Sequence, residues 1–236
     1  MRIKNWNNKI SWSNAIIELV LITVGLFMAI QIENWKENIK ERQIERKLLS
    51  EIKVSLEKDL AFLIEIIIPR ANEVIDTSHE LLRFIDEGFD HYDMYNKDFI
   101  QLTYGLEFEP RTSAFENLKS TNINLISNDD LRLQLVDLYD FRYQRTFRII
   151  NDIINIPRKN RILPYMEENV EFYTLENEDN DFWPSLFIPE EILITKEFYN
   201  ILININYGFS NSLLRLNRIE EMIRELMEEI DIELSS

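Results

Sequence analysis

Residues Glu18 to Glu37 read ELVLITVGLFMAIQIENWKE, and this stretch constrains the chain more than any other. Ala15 to Ile32 is 18 residues, and Leu19 to Ile30 is apolar apart from Thr23 and Gly25. That length sits at the short end of the roughly 17–25 residues that cross a bilayer core. A helix packed into a soluble core keeps a polar face, whereas the middle of this one is apolar nearly all round. Trp12 and Trp35 bracket it, 23 residues apart, which at the helical rise is about 34 Å. Two interfacial aromatic belts have that separation. Glu18 and Gln31 stand near the ends, where a polar side chain can reach the interface. A secretory signal is the main competitor, but the segment runs into bulky FMAIQIENW with no small-x-small cleavage site. The expectation is a short basic tail (1–14), then a retained transmembrane helix (15–35) with Trp12 and Trp35 as interface anchors and the lipid bilayer as partner.

Charge separates this anchor from the rest. Residues 1–32 carry Arg2, Lys4 and Lys9 against Glu18, a net of +2, so the formal total of −16 leaves −18 for the remainder. A surface that acidic repels phosphate backbones, and no basic stripe offsets it, so nucleic acid is not an expected partner. The purely basic tail favours a cytoplasmic N-terminus, although Lys36, Lys40, Arg42, Arg46 and Lys47 follow the span closely. There is no cysteine, hence no disulfide framework and no thiolate metal site.

Four glycines and six prolines are too few for a turn-rich sandwich, and long runs of Leu, Ile, Glu and Lys predict an all-α chain. Pro69 is the first proline after Ala15, so the spacing predicts one helix through to Ile68, with residues 36–68 as a stalk. Leu48, Ile52, Leu56, Leu60, Leu63 and Ile67 recur on the stalk at steps of three or four and must pack on something. Residues 69–236 are expected to form a helical domain on that face, an antiparallel bundle beginning with a helix from Arg70 to Asp86. Ser113-Ala-Phe-Glu116 and Ser127-Asn-Asp-Asp130 have the form of helix-capping signatures. The second opens a run with Leu131, Leu135, Tyr139, Tyr143, Phe147, Ile150 and Ile154 on one face, expected to stop at Pro157. Glu176 to Pro189 reads as an acidic loop. A last helix, about Thr195 to Leu234, places Leu202, Phe209, Leu216, Ile223 and Ile230 seven apart, with Ile205, Ile219 and Leu226 beside them. Ser212 and Glu233 interrupt the companion series. Such a seam closes a bundle within the chain or pairs two chains as a homo-oligomer.

Three segments resemble a known family: IIELVLITVGLFMAIQIENWKE, RQIERKLLSEIKVSLEKDL and SAFENLKSTNINLISNDDLR. They are similar to a bacterial family, mainly of the Bacteroidota, catalogued as domain of unknown function 6090. The matching positions are Glu18, Gly25, Ala29, Gln31, Asn34 and Trp35; Ile17, Glu33 and Lys36 depart from the family's glycine and asparagines. The resemblance covers roughly residues 10 to 150. It implies a single-pass protein and brings no activity or catalytic residue; with the N-terminus cytoplasmic as the basic tail favours, the expected place is a bacterial inner membrane with the C-terminal domain in the periplasm.

Motifs for chemistry are thin. His79-Glu80-Leu81-Leu82-Arg83 puts Arg83 where a helical zinc motif needs its second histidine. Asp90-His91-Tyr92-Asp93 and the acids Glu176, Glu178, Asp179 and Asp181 lack the spacing that closes around an ion. No metal, no cofactor and no enzymatic activity is expected. The candidate site is instead the stripe of Glu18, Ile22 and Gly25 at steps of four and three, where the glycine admits another helix and the acid seeks a partner. The functional expectation is membrane-anchored binding or scaffolding, through a membrane-protein partner or a homo-oligomer. An envelope enzyme or ligand sensor using scattered acidic residues is the alternative.

Overall fold

The computed structural model describes residues 12–87, 99–176 and 182–235. Within it the chain is mainly helical and forms two compact units, one up to Lys47 and one from Leu48. The expected motif at Asp90–Asp93 and the acids at 177–181 lie outside the described residues.

Helix α1 (Trp12–Phe62) carries the first unit. Twelve large apolar side chains between Ile16 and Ile32 stand 45–66 % exposed, on every face of the helix. Thr23 satisfies its hydroxyl by donating to the Leu19 carbonyl one turn back, at 2.8 Å.

The second unit begins with the rest of α1, where Leu48, Leu49, Ile52 and Leu56 are fully buried. Pro69 does not end this rod. A wide π-type turn, Leu63–Ile67, leads directly into α2 (Ile68–Glu87). Proline lacks an N–H, and its ring collides with the carbonyl four residues back in a regular helix. Here Ile68 donates to Leu63, five residues back, so the widened turn moves the obstructing carbonyl aside. Pro157 fails to stop its helix for the same reason. Asn151–Asn155 is again π-type, with Ile156 donating to Asn151. Pro164 repeats the device after Arg158–Ile162, with Leu163 donating to Arg158. Each of the three prolines follows the last residue of its wide turn by two.

Two caps are displaced by one residue from the sequence expectation. Helix α3 (Ser113–Thr121) starts on Ser113 itself, with Thr112 at the cap position and no side-chain cap bond. Helix α4 (Asp129–Val136) is capped by Asn128, whose side-chain oxygen accepts from the N–H groups of Asp130 and Leu131. From α4 the chain stays helical through a wide turn at Asp137–Tyr143, α5 (Gln144–Ile150) and the two proline-linked turns to α6 (Leu163–Asn169). Six of the seven expected core residues on this run are buried; Phe147 is half-buried.

The expected acidic loop is in part a strand. β1 (Glu171–Glu176) pairs antiparallel with β2 (Phe182–Phe187), Glu171 opposite Phe187 and Glu176 opposite Phe182. Aromatic and β-branched residues in EFYTLE favour the pleated conformation. Pro184 is tolerated because a two-stranded ribbon has only edge strands. A short α7 (Glu190–Leu193) leads to α8 (Lys196–Ser235).

Helix α8 is the return element, antiparallel to the α1–α2 rod. Lys53 on α1 meets Asp231 at 2.5 Å, and Ser78 on α2 meets Asn206 at 2.9 Å. Twenty-five residues forward on one rod thus match twenty-five back on the other. Every named residue of the α8 seam is buried, from Leu202 to Ile230, so the seam closes within the chain. Ser212, which breaks its apolar series, is buried without a hydrogen-bond partner. Gly208 admits the neighbouring helical run: a Cβ there would stand 3.0 Å from the Ile153 carbonyl oxygen.

Candidate functional site

Glu18, Ile22 and Gly25 share one stripe of α1, as their spacing requires, and all three are exposed. A Cβ added at Gly25 would meet nothing within 4 Å, so the surface around it is open. Trp35 is also exposed, while the Trp12 side chain lies outside the described residues. His79 sits on the exposed side of α2 in a shallow depression with Asp76, Glu80 and Arg83. Among the described residues no three His, Asp or Glu side chains gather as metal ligands would.

The first polar cluster that sequence reasoning missed is centred on Asp59. The stalk's apolar series was expected to pass through Leu60, but Leu60 is half-buried and Asp59 takes the core position with 0 % exposure. The Arg111 guanidinium donates to Asp59 Oδ1 at 2.8 Å, and the Arg111 backbone N–H donates to both oxygens at 3.2 and 3.1 Å. The Tyr143 hydroxyl donates to Oδ2 at 3.3 Å. Burial pushes the Asp59 carboxyl above its ordinary range, against the downward pull of Arg111 and Tyr143. Burial, reinforced by the Asp59 charge, raises the hydroxyls of Tyr139 and Tyr143. Phe115 stacks on Tyr139 at 4.5 Å between ring centres, and Phe108 lies edge-on to Tyr143 at 5.9 Å. Both carboxylate oxygens are occupied and closed to solvent. The cluster therefore pins the segment before α3 to α1. Its one sequence signal was the spacing: Asp59 lies three after Leu56 and four before Leu63.

A second feature is open. A cleft of about 320 Å³ lies between a 3₁₀ turn (Ile100–Thr103) with its continuation to Leu106, the wide turns around Pro157, and α8. Its floor is apolar and buried, with Leu102, Ile154, Ile162, Ile205 and Phe209. Tyr104, Asp152, Arg158, Arg161, Asn204 and Tyr207 supply the polar lining. The walls are tied together. Arg158 Nε donates to the Thr103 carbonyl at 2.5 Å, while Asn155 accepts from the Leu106 N–H at 3.1 Å and donates to its carbonyl at 3.0 Å. Gly105 leaves room for that clamp, since a Cβ there would stand 3.0 Å from Asn155 Oδ1. Sequence alone offered no route to this cleft, because its three walls come from segments about 50 residues apart.

No curated protein and no solved structure matches this chain. The segment from Glu18 through the helical run to Leu163 does match a family profile, over residues 18–163. That span takes in the apolar helix, the Asp59 cluster and the cleft's first two walls, and the chain belongs to the family of unknown function DUF6090.

Proposed function

We propose that this chain is a single-pass membrane protein that works by binding or scaffolding rather than by catalysis. In this reading the N-terminus lies in the cytoplasm and the helical domain in the periplasm of a bacterial inner membrane. The observation that carries it is the all-round exposure of twelve large apolar side chains on one helix. Full burial of such a side chain stabilises by roughly 1.5–3 kcal/mol, so leaving a dozen in water costs on the order of 15 kcal/mol or more. A bilayer removes that cost, and the intact backbone hydrogen bonding of α1 is what a bilayer demands. The binding reading is supported by the Asp59 cluster, whose carboxylate is committed on both oxygens to Arg111 and Tyr143. Glu18, Ile22 and Gly25 are the proposed lateral contact, to a helix of another membrane protein or of a second copy. The tied-down cleft favours a ligand-sensing form of the same reading.

The absence of cysteine makes the anchor and orientation testable with single introduced thiols. Alkaline carbonate should leave the chain in the membrane pellet. In cells with a permeabilised outer membrane, Ser113→Cys should react with an impermeant maleimide and Asn8→Cys only after lysis. Carbonate extraction would sink the anchor, and reversed labelling would sink the orientation. In-cell crosslinking of wild type against Glu18→Ala tests the contact: specific links that vanish in the variant support it, and links that are unchanged remove Glu18 from it.

A further inference from the structure

We infer that the cleft between the Ile100–Leu106 segment, the Pro157 turns and α8 binds a small amphiphilic anion, its acidic head held by Arg158 and Arg161 and its apolar body on the floor. This deepens the binding reading above and rests on it. The volume, about 320 Å³, lies at the small end of the range of roughly 300–1,000 Å³ that encloses organic ligands. An inorganic ion at the arginines would leave the apolar floor of Leu102, Ile162 and Phe209 uncovered, whereas an apolar body covers it.

The head is assigned by the arginines. Arg111, Arg132, Arg142 and Arg224 are each paired with a carboxylate, while Arg148 and Arg218 make no ion pair with a described residue; Arg158 and Arg161 differ from these in lining the cleft together. Arg158 is held through Nε alone, and its terminal nitrogens make no hydrogen bond with a described residue. Arg161, one helical turn on, makes no hydrogen bond or ion pair with any described residue. A guanidinium fork recognises a carboxylate or phosphate by paired, charge-assisted hydrogen bonds. Among the described residues lining the cleft Asp152 is the one acid, so the two cations outnumber it there. The strongly negative total charge does not cancel this, because charges beyond about 8 Å are largely screened at physiological salt. Pre-organisation adds to the case: the Asn155 clamp and the Arg158–Thr103 bond fix the first wall to the second, and Gly208 lets the third, α8, approach Ile153 on the second.

The test uses the full chain in nanodiscs of zwitterionic lipid, with a ten-carbon fatty acid bearing a terminal diazirine, its phosphate monoester and its alcohol as probes. Photolabelled peptides are mapped by mass spectrometry. The acid or the phosphate should label residues 152–162 and 201–209, the difference between them naming the head group, and the alcohol should label them at least about tenfold less. Arg161→Glu should cut cleft labelling at least about tenfold while leaving labelling of residues 16–32 unchanged. Arg161 is exposed and unbonded, so the fold is not at stake in that variant. Asn204→Trp, which fills the mouth without altering charge, should abolish cleft labelling as well. Equal labelling by acid and alcohol, labelling confined to 16–32, or insensitivity to either variant would overturn the proposal. Co-elution of the chain with nanodiscs separately reports the anchor. If the chain elutes free, the anchor fails while the labelling still decides the cleft.

Discussion

At the scale of single residues, Asp59 shows how a charge can occupy a core position. Its carboxyl titrates above the ordinary range because removal from water outweighs the help of Arg111 and Tyr143. The native state therefore keeps that proton to a higher pH than the unfolded chain does. Its contribution to stability is full below about pH 4 and declines as pH rises through the raised value. Replacing Arg111 with Met removes the opposing cation and moves the native value higher still. Between the two values the variant's native state holds a proton that the wild type has released, so the variant loses stability faster with rising pH. Arg111→Met is expected to cost about 2–3 kcal/mol at neutral pH, below the ~3–5 kcal/mol of a fully buried pair because Arg111 is partly exposed. The cost should shrink in acid. Urea unfolding of the full chain at pH 4 and pH 8 measures it, and an equal gap at both would show that the Asp59 charge is not what Arg111 serves.

At the scale of elements, the recurring device is a wide turn placed two residues ahead of a proline. Pro69→Ala should change stability by no more than about 1 kcal/mol, since the turn already accommodates the ring and no regular bond is waiting to be restored. Glu57→Pro, on regular helix in the same rod, should cost about 3 kcal/mol or more. Thermal unfolding of the two variants side by side distinguishes an accommodated proline from a tolerated one; equal losses would end the distinction. Gly208→Val tests a second contact between elements. Its Cβ would press on the Ile153 carbonyl, so a loss of about 1–3 kcal/mol is expected, together with weaker photolabelling of the adjoining cleft. These elements also mark where sequence reasoning stops. Apolar periodicity was enough for the α8 seam and for Leu48, Ile52 and Leu56, because burial selects side chains at helical spacing. A π-type turn inserts one residue per turn and leaves no composition of its own, so Pro69 and Pro157 read as stops. Asp59 and Leu60 fit the helical spacing between Leu56 and Leu63 equally well, and polarity alone favours Leu60 for the core.

For the whole molecule, the division at Lys47–Leu48 separates two solutions to the same problem of apolar surface. Downstream of it, the apolar stripes of three long helical runs face one another, and the seam that could have joined two chains is filled by the chain's own α1–α2 rod. Upstream, Ile16 to Ile32 faces outward on all sides, with no described residue covering it. Removing residues 1–47 takes away the buried Glu45 with its Arg42 partner and should otherwise cost the domain little. It takes away eight basic and five acidic residues, so the remaining Leu48–Ser236 carries −19 of the chain's −16 total, a charge that favours solubility and a monomer. Expressed alone, that fragment is expected to remain in the supernatant after ultracentrifugation, elute as a monomer and unfold in one cooperative transition. The full chain should partition with membranes under the same conditions. A fragment that dimerises through α8 would show that the seam is shared between chains, and one that aggregates would show that the residues before Leu48 cover part of the domain's apolar surface. A soluble, cooperative monomer would place the apolar helix and the helical domain in separable parts of one chain, each then open to assay without the other.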